Sequence, residues 1–390
     1  MNLYSHTVLR AACILIAGIA ILAIGVQPIF IGLLVERLAL SLAQQSAVMS
    51  AEMCGSILGT LACMPLMRRC SVRRVAFVAA LALLGGNLLT AQVERLESLV
   101  AMRFVCGVGC GVLYAYAIYG LGCLQGPARS YGVLLFLQTG LFALVAALLP
   151  MIAGRLGFSW AIGYLAAWFI PVCLACFCLP RAALGPTLKG AALQGERLTL
   201  AGALSLIGMV LLQLSIYSLW GFVEGVGRNA GITSVDIGEA VSIGLLGGLP
   251  GAALPSLLGE RLGRVPMILC GSLLVLLSIF MFATRIHSAV DLGLAVFLMN
   301  VGWNLALSYY MSSIVSHDPT GTLTRLIGAV QVISGAAAPT LLMLFMRDGG
   351  RQTIFLLSAG AIVLGCLAVL LIAMMGFGYK QSRSNVQKVF

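Results

Sequence analysis

Residues 50–69 read SAEMCGSILGTLACMPLMRR, and residues 242–261 read SIGLLGGLPGAALPSLLGER. Set in register at an offset of 192, Ser50, Gly55, Gly59 and Arg69 fall on Ser242, Gly247, Gly251 and Arg261. Each stretch is an apolar run carrying a GxxxG, the spacing that lets a neighbouring helix backbone approach closely in lipid, and each closes on a basic turn. A match of this kind, at half the length of the chain, is the mark of two related bundles.

Composition gives the solvent of those bundles. Of 390 residues, 61% are apolar and only 9% charged, whereas a globular domain needs about a quarter charged residues to cover its surface. The surface is therefore lipid. The long apolar runs exclude the alternating pattern of an outer-membrane barrel, and at about 20 residues per span they read as twelve helices: 10–35, 45–67, 75–93, 97–123, 130–154, 159–180, 198–223, 235–258, 265–284, 289–315, 322–346 and 353–378. The first run is too long for a signal-peptide core and is read as a span.

An even count places both termini on one side. With the termini inside, the inner segments hold fifteen Lys and Arg residues, among them Arg68, Arg69, Arg73, Arg74, Arg129, Arg181, Arg261, Arg264 and Arg325, against seven outside. That bias sets the orientation. The net charge of +11 is thus a membrane signal and implies no nucleic acid. The longest polar interruption, Arg181 to Arg197 with Gly185-Pro186 inside it, divides the chain into an N-terminal six-helix bundle (1–180), a cytoplasmic central loop (181–197), a C-terminal six-helix bundle (198–378) and a basic cytoplasmic tail (379–390). No cofactor is expected. Cys173, Cys176 and Cys178 lie in an apolar run without polar partners and read as small helix residues rather than metal ligands.

Two charges fall deep inside spans. Glu52 lies about two turns into the second and Arg103 about two turns into the fourth, so both should sit at similar depth in the outer half. A charge there costs about 3 kcal/mol on insertion scales and is retained only with a partner or a purpose. Glu52 either takes up and releases a proton, with Arg103 setting its affinity or holding an anionic solute, or the two form a permanent pair pinning one helix to the other.

Polar and aromatic residues also form stripes at helical spacing: Arg103, Gly107, Cys110 and Tyr114 in the fourth span; Gln213, Tyr217, Trp220 and Glu224 in the seventh; Asn300, Trp303 and Asn304 in the tenth. Unpaired amides facing acyl chains are costly, so such stripes face protein or a water-filled cavity. Gln27, Gln138 and Gln331 are further candidates. Singly, each reads equally as helix–helix adhesion or interfacial anchoring.

The segment Gly259-Glu260-Arg261-Leu262-Gly263-Arg264 resembles the acid-Arg-x-Gly-Arg loop of the major facilitator superfamily, and Arg103-Phe104-Val105-Cys106-Gly107-Val108-Gly109-Cys110-Gly111 is similar to that family's glycine-rich fourth helix. The resemblance covers the whole chain. It implies an all-α fold of two pseudo-symmetric six-helix bundles, with a cavity lined by helices 1, 4, 7 and 10. It also implies a cytoplasmic gate, here Arg69, Arg129, Glu260, Arg261, Gly263 and Arg264, in which Glu260 pairs with Arg129. The first-half loop departs from the pattern: Arg68 stands where the acid belongs and Ser71 where glycine belongs. The fifth span, Leu149-Pro150-Met151-Ile152-Ala153-Gly154, lacks the Gly-Pro-x-x-Gly-Gly of drug/proton antiporters.

Enzymatic function is not expected. His6, His287 and His317 are terminal or in loops, so no membrane-embedded site has a histidine base or ligand, and no phosphate-binding loop is present. The expected function is secondary transport of a small organic solute, anionic or aromatic, coupled to protons. The rivals are an uncoupled facilitator, a drug-type efflux carrier, or a non-transporting receptor on the same scaffold. Expected partners are the solute, protons and a plasma-membrane bilayer with an anionic inner leaflet, with the chain acting as a monomer.

Overall fold

The computed structural model describes residues 3–182, 199–220 and 223–387, and among them every regular element is helical. The helices are α1 (Leu3–Ala20), α2 (Leu22–Gly25), α3 (Gln27–Leu38), α4 (Leu42–Arg69), α5 (Val72–Thr90), α6 (Leu96–Gly122), α7 (Pro127–Leu156), α8 (Phe158–Ala167), α9 (Phe169–Ala175), α10 (Leu200–Trp220), α11 (Val223–Asn229), α12 (Ser234–Leu245), α13 (Gly248–Leu258), α14 (Arg264–Thr284), α15 (Ala289–Ser316) and α16 (Thr322–Gln387). Ten stretches among the described residues are long and apolar enough to cross a bilayer. Most of the expected central loop, including Gly185-Pro186, lies outside the described residues, as do the side chains of the basic tail.

Three expected spans are interrupted, and in each a proline follows a break, though none accounts for the earlier break at Ile21. The span 10–35 breaks at Ile21 and Val26, the span 159–180 at Trp168, and the span 235–258 at Leu246 and Gly247. Pro28, Pro171 and Pro250 follow these breaks. Each lacks the N–H that would bond the carbonyl four residues earlier (Ile24, Ala167 and Leu246), and each ring crowds that carbonyl. Pro65 and Pro150, by contrast, sit inside unbroken helices. The turn expected between the last two spans, at Arg347-Asp348-Gly349-Gly350-Arg351, is helical backbone, and α16 runs without interruption from Thr322 to Gln387. Paired glycines lower helix propensity without forbidding the conformation.

The chain divides into two compact units, Met1–Thr187 with Thr324–Ala336, and Leu188–Leu323 with Ala337–Phe390. Each is organised around one helix buried along most of its length. In the first, α6 is packed by α1, α4 and α5; in the second, α15 is packed by α10, α12, α13 and α14.

The closest packing is backbone against backbone. A Cβ on Gly55 or Gly59 of α4 would fall on the carbonyl oxygen of Phe104 or Val108, and one on Gly107 or Gly111 of α6 would fall on that of Glu52 or Ser56. The second unit repeats the contact, with Gly247 and Gly251 against the carbonyls of Phe297 and Val301. An offset of 193 carries Phe104 and Val108 onto Phe297 and Val301, so the repeat extends from the glycines to the residues they touch. Replacing Gly55 or Gly107 by alanine is expected to destabilise the protein by about 1–3 kcal/mol, since neither backbone can yield locally. Gly163→Ala, where a Cβ meets nothing within 4 Å, should be neutral or stabilising by up to about 1 kcal/mol; thermal unfolding in detergent micelles checks the contrast.

Candidate functional site

Close approach of α4 and α6 brings Glu52 and Arg103 together in the interior of the first unit, at 2% and 0% exposure. The guanidinium meets the carboxylate side on: Nε donates to Glu52 Oε2 at 3.3 Å and Nη2 donates to Oε1. Paired N–H donors matched to two carboxylate oxygens are the strongest form of this interaction. The remaining edge of Arg103 is also occupied. Nη1 donates to Asn87 Oδ1 at 3.0 Å, and Asn87 Nδ2 in turn donates to the Leu83 carbonyl at 2.7 Å. The Phe30 ring of α3 lies 4.8 Å from the guanidinium carbon, a cation–π contact.

Asn87 and Phe30 are the members of this cluster that sequence reasoning missed. Asn87 left a signal, being the only polar side chain between Val75 and Leu89. Phe30 left none, because one phenylalanine in an apolar helix looks like any other. The cluster has no counterpart in the second unit. The repeat offsets carry Glu52 to Gly244, Asn87 to Ile279 and Arg103 to Val296, and a Cβ on Gly244 would meet the Val296 side chain. The same helix crossing is polar in one unit and apolar in the other.

The stripe residues separate by unit. In the first, the Tyr114 hydroxyl donates to Gln331 Oε1 at 2.7 Å, linking α6 to the stretch of α16 that belongs to this unit. Gln138 Nε2 donates to the Ala17 carbonyl at 3.1 Å, tying α7 to α1. Gln27 is buried, and its Nε2 has no acceptor among the described residues. In the second unit, Trp303 Nε1 donates to Gln213 Oε1 at 2.6 Å, while the Tyr217 and Trp303 rings meet edge to face at 5.9 Å. Gln213 is fully buried, yet its Nε2 also has no acceptor among the described residues. Asn300 and Asn304 turn their Nδ2 groups onto the Val296 and Asn300 carbonyls of their own helix, at 2.9 and 3.0 Å. Trp220 is half-buried as the last residue of α10; the Glu224 side chain lies outside the described residues.

Of the expected gate residues, Glu260 is held within its own unit. Arg264 Nη2 donates to Glu260 Oε2 at 2.6 Å, and the Ser312 hydroxyl donates to Oε1 at 2.6 Å, so the acid bridges the turn before α14 to α15. Gly263, at φ 80°, supplies the left-handed backbone of that turn. Arg261 and Arg69 are exposed, and Arg129 lies in the first turn of α7. Arg325 stands over the Tyr119 ring at 5.4 Å.

A buried pair is damaged more by losing one charge than by losing both. Arg103→Leu or Glu52→Leu alone should cost about 3–5 kcal/mol, and the double variant markedly less than either. Asn87→Leu, which strips an acceptor from a buried guanidinium, should cost about 1–3 kcal/mol. Unfolding midpoints of the four variants against the parent protein measure the coupling.

Comparison with known proteins agrees with this architecture. The family model of the Major Facilitator Superfamily matches residues 13–341. Solved structures of similar fold include the superfamily transporter FucP in its outward conformation, at TM-score 0.75 and 12% identity, covering 94% of this chain and 99% of that one. The human organic anion transporter MFSD10 is similar at TM-score 0.70 and 17% identity, covering 93% and 99%. A bacterial homologue of the iron transporter ferroportin, facing outward, is similar at TM-score 0.69 and 15% identity, covering 96% and 100%. At such identities the likeness is one of fold. No curated protein matches the sequence. A family model matched over most of the chain, on a fold that these transporters share along nearly their whole length, places the protein in the Major Facilitator Superfamily, as a secondary transporter rather than an enzyme.

Proposed function

We propose that this transporter moves a small organic anion, aromatic or partly apolar, by alternating access, with proton binding at Glu52 coupled to anion binding through Arg103. The observation that carries the proposal is the buried Glu52–Arg103 pair. As long as Glu52 is ionised, the cluster is neutral. When Glu52 takes a proton, Arg103 keeps Asn87 and Phe30 as neighbours but loses its countercharge, and a lone cation in a low-dielectric interior is strongly unfavourable. An anion entering the protein restores the balance, so proton and anion are favoured together. Among the structural neighbours, one is a fucose:proton symporter and another an organic anion transporter, so both chemistries occur on this fold.

In the first unit the Gln27 Nε2, and in the second the Gln213 Nε2, each without an acceptor among the described residues, is a donor that a carboxylate would accept, and within the second unit the Tyr217–Trp303 pair beside Gln213 offers aromatic faces. Tyr114, Gln138, Asn300, Asn304, Trp220 and Gln331 complete the proposed set. In this reading both termini are cytoplasmic and the membrane is the plasma membrane, which the excess of basic residues in the inner segments of the sequence supports.

One observation favours a second reading. Arg103 is satisfied on both edges and bound to three helices, as a permanent clamp would be, and the protein would then be an uncoupled facilitator. Proteoliposomes holding purified protein separate the two. Addition of benzoate, phenylacetate or lactate should produce solute-dependent proton movement in the parent protein, with at least a tenfold loss in Glu52→Gln. Solute movement without protons, unchanged in Glu52→Gln, would establish the clamp.

A further inference from the structure

One face of the first unit carries a furrow whose apolar length the transport reading does not use. An open cavity of about 700 Å³ begins at Arg69 and Arg74 and runs between α5 and α6; a second, of about 400 Å³, continues it toward the other end of α5 and shares Ala82 and Val105 with the first. Together they follow one stripe of α5 from Ser71 to Leu89, a helix of 19 residues and therefore about 28 Å long, close to the hydrocarbon thickness of a bilayer. The floor is made of small residues, notably Ala82, Gly85 and Gly109. A Cβ on Gly85 would meet nothing within 4 Å. Val78 and Val105, on the walls, are 65% and 53% exposed, so the furrow opens sideways, toward lipid.

Its basic end is chemically distinct from the rest. Four of the seven residues 68–74 are arginines, and no acid lies among them. Arg73 is engaged, donating through Nε and Nη2 to the Leu179 carbonyl at 3.2 and 2.9 Å. Arg69 and Arg74 line the furrow mouth, beside Ser71. An apolar trough at bilayer depth with two arginines at its head has the polarity of a phospholipid.

We propose that this furrow is a binding site for one phospholipid with an anionic headgroup, its phosphate held by Arg69 and Arg74 and an acyl chain lying over Ala82 and Gly85. A second copy of the chain is a poor occupant, because two-fold pairing through this face would set two arginine-rich turns against each other. The second unit serves as an internal control. The repeat offset carries Ala82 to Leu274, Gly85 to Leu277 and Arg74 to Pro266, so the two small floor residues on α5 and the second arginine are replaced there.

Native mass spectrometry of the detergent-solubilised full chain, titrated with dioleoylphosphatidylglycerol or dioleoylphosphatidylcholine, tests the site. One saturable adduct is expected with the anionic lipid and none of comparable strength with the zwitterionic one. Arg69→Gln/Arg74→Gln, at exposed positions, should weaken the adduct about thirtyfold, as removing two cations near an anionic lipid implies. Ala82→Leu/Gly85→Leu, which installs the second unit's residues, should weaken it at least fivefold, while Arg155→Gln should leave it unchanged. Equal binding of the two lipids, or parent-like binding by both double variants, overturns the proposal. So does efficient Val78→Cys cross-linking between two copies in liposomes, which would make the face a dimer contact.

Discussion

In the first unit, the carbonyl oxygens of one helix occupy the space where the Cβ atoms of another would be. Gly55 and Gly59 on α4, with Gly107 and Gly111 on α6, let the two backbones meet without side chains between them. Lipid offers no hydrophobic gain for helix association, so van der Waals contact and interhelical hydrogen bonds must hold the bundle. At this distance secondary bonds follow: Thr60 Oγ1 donates to the Gly111 carbonyl, and Cys63 Sγ to that of Val112, each at 3.4 Å. The ion pair follows too. Glu52 and Arg103 sit one turn from the nearest glycines of their own helices, and only the close crossing brings a carboxylate and a guanidinium into side-on contact.

The two units use the same crossing for different ends. Phe104 and Val108 meet their glycines as Phe297 and Val301 meet theirs, and Gly109 approaches the Ala79 carbonyl as Gly302 approaches that of Gly271. The backbone frame is therefore repeated while its filling is not. Where the first unit buries Glu52, Asn87 and Arg103, the second buries or covers only apolar groups at Gly244, Ile279 and Val296. A buried charge needs a full set of partners, so such a cluster is retained as a unit or lost as a unit. The polar groups of the second unit lie elsewhere, on Gln213 and Trp303 of α10 and α15 and at the Glu260–Arg264–Ser312 turn. Division of labour between halves is compatible with a repeat that conserves only packing.

Much of this organisation was legible in residue order. The low charge content required a lipid-facing surface, the runs of apolar residues required helices, and the glycine and arginine matches at offset 192 disclosed the repeat. Glu52 and Arg103 could be paired on paper because each is an isolated charge at similar depth, and isolated charges in a bilayer must find one another. The helix breaks other than that at Ile21 were legible in principle as well, since Pro28, Pro171 and Pro250 mark them.

Side-chain direction and neighbour identity were not contained in that order. Nothing in the span around Asn87 says that its amide faces Arg103, nor in the first span that Phe30 supplies a ring face; both depend on how α3 and α5 are rotated against α6. Likewise, Tyr114 and Gln331 are 217 residues apart, and only the folding of part of α16 into the first unit joins them. Composition and periodicity are properties of one helix at a time, and they determined the class, the repeat and most of the spans. The cluster around Arg103 is a property of four helices at once, and only tertiary packing could decide it, because a guanidinium with five donors accepts whichever acceptors the neighbouring helices turn toward it.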